Sequence, residues 1–193
     1  EGKWLYPVSL PQGGKSVLLK TLLTNACVNK CRYCPFRDST NVPRYSLTPE
    51  EIVRVFLDYV RRKKIHGLFL SSGVMRDADY TMDRLLAVAD TLRHKHRYRG
   101  FIHLKIIPGA SDEAIRQALS LSSAVSLNVE APHRRAFSQL APTKDFDRDI
   151  VGGIRKLSEL TAPGSPYANR KVTTQFIVGA AQEKDSDIVQ ATF

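Results

Sequence analysis

Cys27, Cys31 and Cys34 are the only thiols of the chain and lie within eight residues as C-x3-C-x2-C. An odd, clustered set is not a disulfide framework; it points to a reducing compartment and a metal or redox task. Three thiolates this close in one loop can hold three irons of a [4Fe–4S] cube. The fourth iron, with no protein ligand, is then open to a small molecule. Structural zinc is the competing use. It wants four ligands, there is no fourth cysteine, and His66, the nearest downstream histidine, falls at the far end of a predicted helix. Three free thiols without metal are the remaining alternative.

The elements that must position these thiols are legible on either side. Val17 to Thr24 is a mostly apolar run that reads as a buried strand, and a polar loop from Asn25 to about Leu47 follows it and holds every cysteine. Thr48-Pro49-Glu50-Glu51 starts a helix, with Thr as N-cap, Pro in the first position and Glu completing a capping box. Further strands are predicted at 68–73, 101–107, 124–130 and 171–179. Helices are predicted at 79–97, from Ser111 onward, and around Ile150, Ile154, Leu157 and Leu160. Strict alternation of strand and helix implies a parallel sheet with right-handed crossovers. Strand parity refines this. Ile102, Leu104 and Ile106 share one face and His103 and Lys105 the other; Val125, Leu127 and Val129 oppose Ser126, Asn128 and Glu130. A flat sheet covered on both sides would be apolar on both faces. The polar face therefore predicts a curved sheet around a wet cavity, with helices outside and ligands at the carboxyl ends of the strands.

Composition bounds the rest. The 193 residues are 42% hydrophobic and 25% charged, an ordinary globular balance for one domain. That excludes a disordered chain, a collagen-like chain and a disulfide-built miniprotein. The formal charge of +10 favours a polyanionic partner, nucleic acid first. No run approaches the roughly 18 consecutive apolar residues of a membrane span. The chain opens at Glu1 with neither Met nor a signal-peptide pattern, and reads as a cytoplasmic piece of a longer protein.

The C-x3-C-x2-C loop after the first strand, with aromatic Tyr33 just before the last cysteine, resembles the signature of the radical SAM enzymes. Thr24-Asn25-Ala26-Cys27 through Cys34-Pro35, Leu70-Ser71-Ser72-Gly73 and Val129-Glu130-Ala131-Pro132 resemble one subgroup more closely. These are the DNA modification or repair radical SAM proteins linked to uracil-DNA-glycosylase-like partners, whose longer chains carry a C-terminal DNA-binding segment. The resemblance implies a partial (βα)6 TIM-like barrel over residues 17–193, incomplete at the C-terminus, behind an N-terminal extension of residues 1–16. It implies a [4Fe–4S] cluster on Cys27, Cys31 and Cys34, whose open iron chelates S-adenosylmethionine (SAM). Reductive cleavage of SAM would give methionine and a 5′-deoxyadenosyl radical that abstracts hydrogen from substrate. A flavodoxin or ferredoxin would supply the electron.

The same resemblance assigns cofactor contacts. Tyr33 would pack near the adenine. Ser71-Ser72-Gly73 stands where the superfamily usually has Gly-Gly-Glu to meet the methionine amine, so hydroxyls or carbonyls would replace the carboxylate. Asn128 and Glu130 would reach the ribose, with Lys105 on the same polar face; the alternative is a Lys105–Glu130 pair that merely fills the barrel. Ile177-Val178-Gly179 resembles the element against adenine, although Gln182 replaces its usual Glu.

Two other motifs are set aside. Gly13-Gly14-Lys15-Ser16 lacks the first glycine of a phosphate loop and precedes a strand rather than a helix. Gly152-Gly153 reads as a close packing point inside a helix. The basic runs 61–64 and 93–99 fall at predicted helix C-termini, where cations complement the helix dipole. Lys30, Arg32, Arg37, Arg44, Arg76, Arg134, Arg135 and Lys144 fall instead in loops after strands, where only Asp38 and Asp77 oppose them before Asp145 and Asp147. A basic rim of this kind suits phosphodiester contacts, DNA above all. Radical chemistry on a peptide or small metabolite is the alternative within the enzyme class. A zinc-stabilised nucleic-acid-binding module without catalysis is the alternative outside it.

Overall fold

The computed structural model describes residues 4–9 and 13–193. Its centre is one six-stranded sheet in sequence order: β1 (Leu5–Ser9), β2 (Lys15–Leu22), β3 (Gly67–Ser71), β4 (Phe101–Lys105), β5 (Ala124–Ser126) and β6 (Lys171–Thr173). From β2 to β6 every neighbouring pair is parallel, with Leu19 beside Leu68, Leu68 beside Ile102, Leu104 beside Val125 and Val125 beside Val172. The outermost strand comes from the stretch that sequence reading left as an extension. Leu5–Ser9 pairs antiparallel with β2, Leu5 opposite Leu19 and Ser9 opposite Lys15. Lys15 begins a strand, so no helix N-terminus follows the glycine pair.

Helices cover one side only. Leu19, Leu68, Leu70, Ile102, Leu104, Val125 and Leu127 are buried in a core with Phe56, Leu85, Ile115 and Leu157. Phe56 belongs to α1 (Pro49–Arg61), whose capping box forms as Thr48 and Glu51 exchange hydrogen bonds. Leu85 belongs to α2 (Ala78–Asp90), capped by Asp77. Ile115 belongs to α3 (Asp112–Leu121), capped by Ser111. On the opposite face, the Lys20 ammonium lies over the Phe69 ring and Phe69 stacks on buried His103, which pairs through Nε2 with Ser126 Oγ. One face is thus apolar and helix-covered and the other polar, the arrangement of a partial barrel with its wet interior on the polar side.

Several boundaries differ from expectation. The second predicted helix passes at Thr91–Lys95 into a π-helical turn. The strands predicted to reach 107, 130 and 179 end at Lys105, Ser126 and Thr173. Beyond Ser126, Leu127 N–H still donates to Thr173 O, but Val129 N–H turns to the Thr174 hydroxyl and pairing resumes as a bridge between Glu130 and Phe176. The last predicted helix is α5 (Gly153–Thr161), preceded by a π-helical segment, Phe146–Gly152. Gly153 is the close packing point expected there: a β-carbon would stand 2.7 Å from Leu127 Cδ2. Sequence reading missed two short helices, α4 (Arg134–Leu140) and α6 (Asp185–Thr192). No helix among the described residues is long and apolar enough to cross a membrane.

Candidate active site

The cysteine loop leaves β2 and is fastened at once to the end of β3. Leu23 N–H donates to Ser71 O, Gly73 N–H to Thr24 O and Val28 N–H to Val74 O, each within 2.9 Å. Gly73 is needed for this approach, since a β-carbon would meet Ala26 O at 2.3 Å. The contact also brings Val74 N–H to 3.3 Å from Cys27 Sγ, a donor for a negatively charged sulfur.

The other side of the loop is clamped by α4. Arg32 N–H donates to Leu140 O at 2.8 Å and Lys30 N–H to Thr143 Oγ1 at 3.2 Å. Cys31 is 5% exposed, in an apolar cluster with Ala136, Phe137 and Leu140 of α4. Burial pushes the Cys31 thiol above its ordinary pKa, and the Lys144 ammonium beside it opposes that shift. Cys27 and Cys34 are half-buried.

All three thiols line one cavity of about 240 Å³ at the carboxyl ends of β2 to β5, together with Tyr33, Ser71, Ser72, Gly73, Lys105, Asn128, Glu130 and Lys144. Glu130 is the anomaly. It is 7% exposed, its backbone lies at φ +65°, and its Oε2 has no hydrogen-bond partner among the described residues. Ala131 N–H reaches back to Val129 O, closing a tight turn around Glu130. Glu130 N–H donates to Gln175 O and Glu130 O accepts from Ile177 N–H, so the segment after β6 holds the turn in place. Left-handed backbone at a bulky residue is costly and clusters at functional sites. A buried carboxylate oxygen without a donor is costly as well, unless a ligand supplies one.

The groups around Glu130 are tuned by the same burial. Desolvation pushes Lys105 down to about 8 against the pull of Glu130, and its ammonium donates to Asn128 Oδ1. No direct ion pair joins Lys105 to Glu130 among the described residues, although the Glu130 charge acts on Lys105 across the cavity. Burial, then the charges of Glu130 and Cys31, push the Tyr33 phenol well above its ordinary range and keep it a neutral donor. His103, one layer deeper, is pushed down to about 4 by burial and by Lys105 and Lys20.

Two of the expected cofactor contacts lie outside this cavity. Ile177 acts through its backbone on Glu130, and Gly179 N–H turns to the Glu183 carboxylate. The reason is that β6 stops at Thr173 and the following chain swings outward, leaving Val178 67% exposed. Glu183 also accepts from Ala181 N–H at 2.8 Å, a carboxylate one place beyond Gln182 that sequence reading passed over.

The rim cations divide. Arg44 is no free cation: its terminal nitrogens donate to the carbonyls of Asn25, Phe36, Arg37 and Thr40, stapling the cysteine loop from inside. Arg37 donates to the carbonyls of Arg32 and Cys34, and Arg134 pairs with Asp147. Lys30, Arg32, Arg76 and Arg135 are exposed, with Arg76 over the Tyr80 ring.

The donor set fits a cluster better than a single ion. No group of three or more His, Cys, Asp and Glu among the described residues could hold one metal ion, so the tight tetrahedron of structural zinc is not formed. All three thiols line one shared cavity, and three thiolates with no fourth suit an iron–sulfur cube that keeps one iron open.

The family model of the radical SAM superfamily matches residues 21–192. No curated protein matches the chain. Among solved structures, HydG, a maturase of the [FeFe]-hydrogenase, superposes with a TM-score of 0.70 at 19% identity, over 91% of this chain and 38% of its own. Methylornithine synthase gives 0.69 at 16% identity, over 89% and 47%. The cobalamin-dependent S-adenosylmethionine radical enzyme OxsB gives 0.54 at 14% identity, over 83% and 24%. At these identities the likeness is one of fold, and the chain spans less than half the length of each.

Proposed function

Because the chain belongs to the radical SAM superfamily, whose members use a [4Fe–4S] cluster and SAM, we propose that it cleaves SAM reductively and acts on nucleic acid, DNA first. One observation carries the chemistry: three thiols and a buried carboxylate oxygen with no donor line the same cavity. Cys27, Cys31 and Cys34 would hold the cluster. When bound, the cluster supplies the electron that breaks the SAM C–S bond and yields a 5′-deoxyadenosyl radical able to take hydrogen from substrate. The chain's own groups position SAM. Glu130 Oε2 accepts from a ribose hydroxyl or from the methionine amine, beside Ser71 and Ser72. Lys105, held by Asn128, offers a cation to the methionine carboxylate. Tyr33 closes the wall near the adenine and excludes water.

The substrate class rests on charge. The net +10 and the exposed Lys30, Arg32, Arg76 and Arg135, which follow β2, β3 and β5 in the chain, suit phosphodiester contacts. A base in duplex must be flipped out, or single-stranded, to reach so small a cavity. A flavodoxin or ferredoxin as reductant, a uracil-DNA-glycosylase-like partner and a cytoplasmic setting complete the reading.

Anaerobic reconstitution with iron and sulfide tests the first half. About four irons per chain, a visible band bleached by dithionite, and 5′-deoxyadenosine formed from SAM are expected. Full cleavage by Cys31→Ala would refute the ligand assignment. For the second half, single-stranded DNA should bind more tightly than duplex and weaken with salt. No affinity at low salt would turn the reading to a peptide or small metabolite.

A further inference from the structure

At the end of the sheet away from the cysteines lies a second cavity, an open cleft of about 480 Å³. Its walls are the segments that lead into β4, β5 and β6: Arg93, Arg97 and Arg99 before β4, Ser120 to Ser123 before β5, and Arg170 before β6. Among the described residues no carboxylate lines it. Asp90, the nearest acid in sequence, is turned to His94 at 2.7 Å.

A helix C-terminus ordinarily repels anions, and α3 ends here. Two of the arginines remove that objection. Arg93 Nε donates to Leu121 O at 2.8 Å and Arg170 Nε to Leu119 O at 2.9 Å, covering the carbonyls at the end of α3. Arg93 is further fixed by Tyr98 O and Gly100 O. Its guanidinium is half-buried, and burial together with the nearby charges of Arg170 and Arg99 lowers its pKa. Arg97 and Arg99 are exposed and have no ion pair or side-chain hydrogen bond among the described residues. Arg93 and Arg170 are thus engaged at the end of α3, while Arg97 and Arg99, which follow the π-helical turn at the end of α2, have no such partner among the described residues.

We infer that this cleft is a binding site for a multiply charged phosphate-bearing ligand, distinct from the cysteine cavity. Four convergent guanidiniums exceed what a monoanion would neutralise. Their planar forks match phosphate oxygens in pairs, and two of the four are already held by the main chain, so little side-chain freedom is lost on binding. The site rests on nothing in the cluster chemistry.

The test is calorimetric titration of the holoprotein with pyrophosphate at low salt. Wild type should bind saturably, and affinity should fall as salt rises. The double variant Arg97→Gln/Arg99→Gln, which removes no internal hydrogen bond, should bind at least tenfold more weakly. A charge-matched control, Arg54→Gln/Arg155→Gln, should stay within twofold of wild type. Absence of saturable binding, equal affinity in the cleft variant, or an equal loss in the control would overturn the site. A single-stranded oligothymidylate that displaces pyrophosphate assigns the phosphates to a nucleic-acid strand. Failure to displace it assigns them to a small phosphorylated molecule.

Discussion

At the amino end of the sheet, Arg93 places its guanidinium against the carbonyls of Leu121, Tyr98 and Gly100 and so closes the gap between α3 and β4. At the carboxyl end, Glu130 is a more deeply buried charged residue, yet its Oε2 meets no donor among the described residues and its backbone is left-handed. The first charge is satisfied by the fold; the second is held ready by it. Burial of charge alone therefore does not mark a site. What separates the two is whether the protein itself supplies the hydrogen-bond partners. The same test sorts the rim, where Arg44 is satisfied by its own loop and Arg76 is not.

The contrast between the two ends can be broken at either one. The largest effect is expected from Gly73→Ala. Its β-carbon would collide with Ala26 O and press on Cys27 Cβ at 3.2 Å, overpacking worth about 3 kcal/mol. Bound iron and 5′-deoxyadenosine should both fall at least tenfold, and retention of full iron would show that the loop does not depend on this contact. At the other end, Arg93→Ala strands three carbonyls and should cost about 2–3 kcal/mol of stability, read as a lower urea midpoint. An unchanged midpoint would mean that water satisfies those carbonyls as well as the guanidinium does.

Between the ends lies His103, whose pH response gauges how dry the interior is. Its folded pKa, about 4, lies below the ordinary 6.5, so the neutral ring stabilises the fold above pH 6.5. That contribution is lost as pH falls towards 4, by about 2 kcal/mol between pH 7 and 4.5. Stability measured across this window should slope less in His103→Phe than in wild type, and identical slopes would place water around the ring. The smallest effect is expected from Glu130→Gln, which keeps the shape and removes the charge. SAM affinity of the reconstituted protein should fall about tenfold, or about 1.4 kcal/mol, with iron content preserved. Unaltered affinity would return Glu130 to a structural role.

The cysteine spacing, the capping box at Thr48 and the alternation along β4 and β5 were determined by the sequence itself. Each is a short-range property: three thiols in one loop, a hydroxyl three residues from an amide, side chains that alternate with the pleat. From these a curved parallel sheet, its polar interior and the place of the cavity followed, and the resemblance to radical SAM enzymes made that sheet a partial barrel. The tertiary structure alone decided which charges are satisfied. The turn after α4 is joined to the cysteine loop by Lys30 and Thr143, across 113 residues. The left-handed turn at Glu130 is held by Gln175 and Ile177 in the segment after β6, and Arg44 and Arg93 find carbonyls that no local pattern announces. Spacing along the chain says which groups are near one another. Whether a buried group has a partner is settled only when distant segments pack, and it is the unpartnered ones that are left to act.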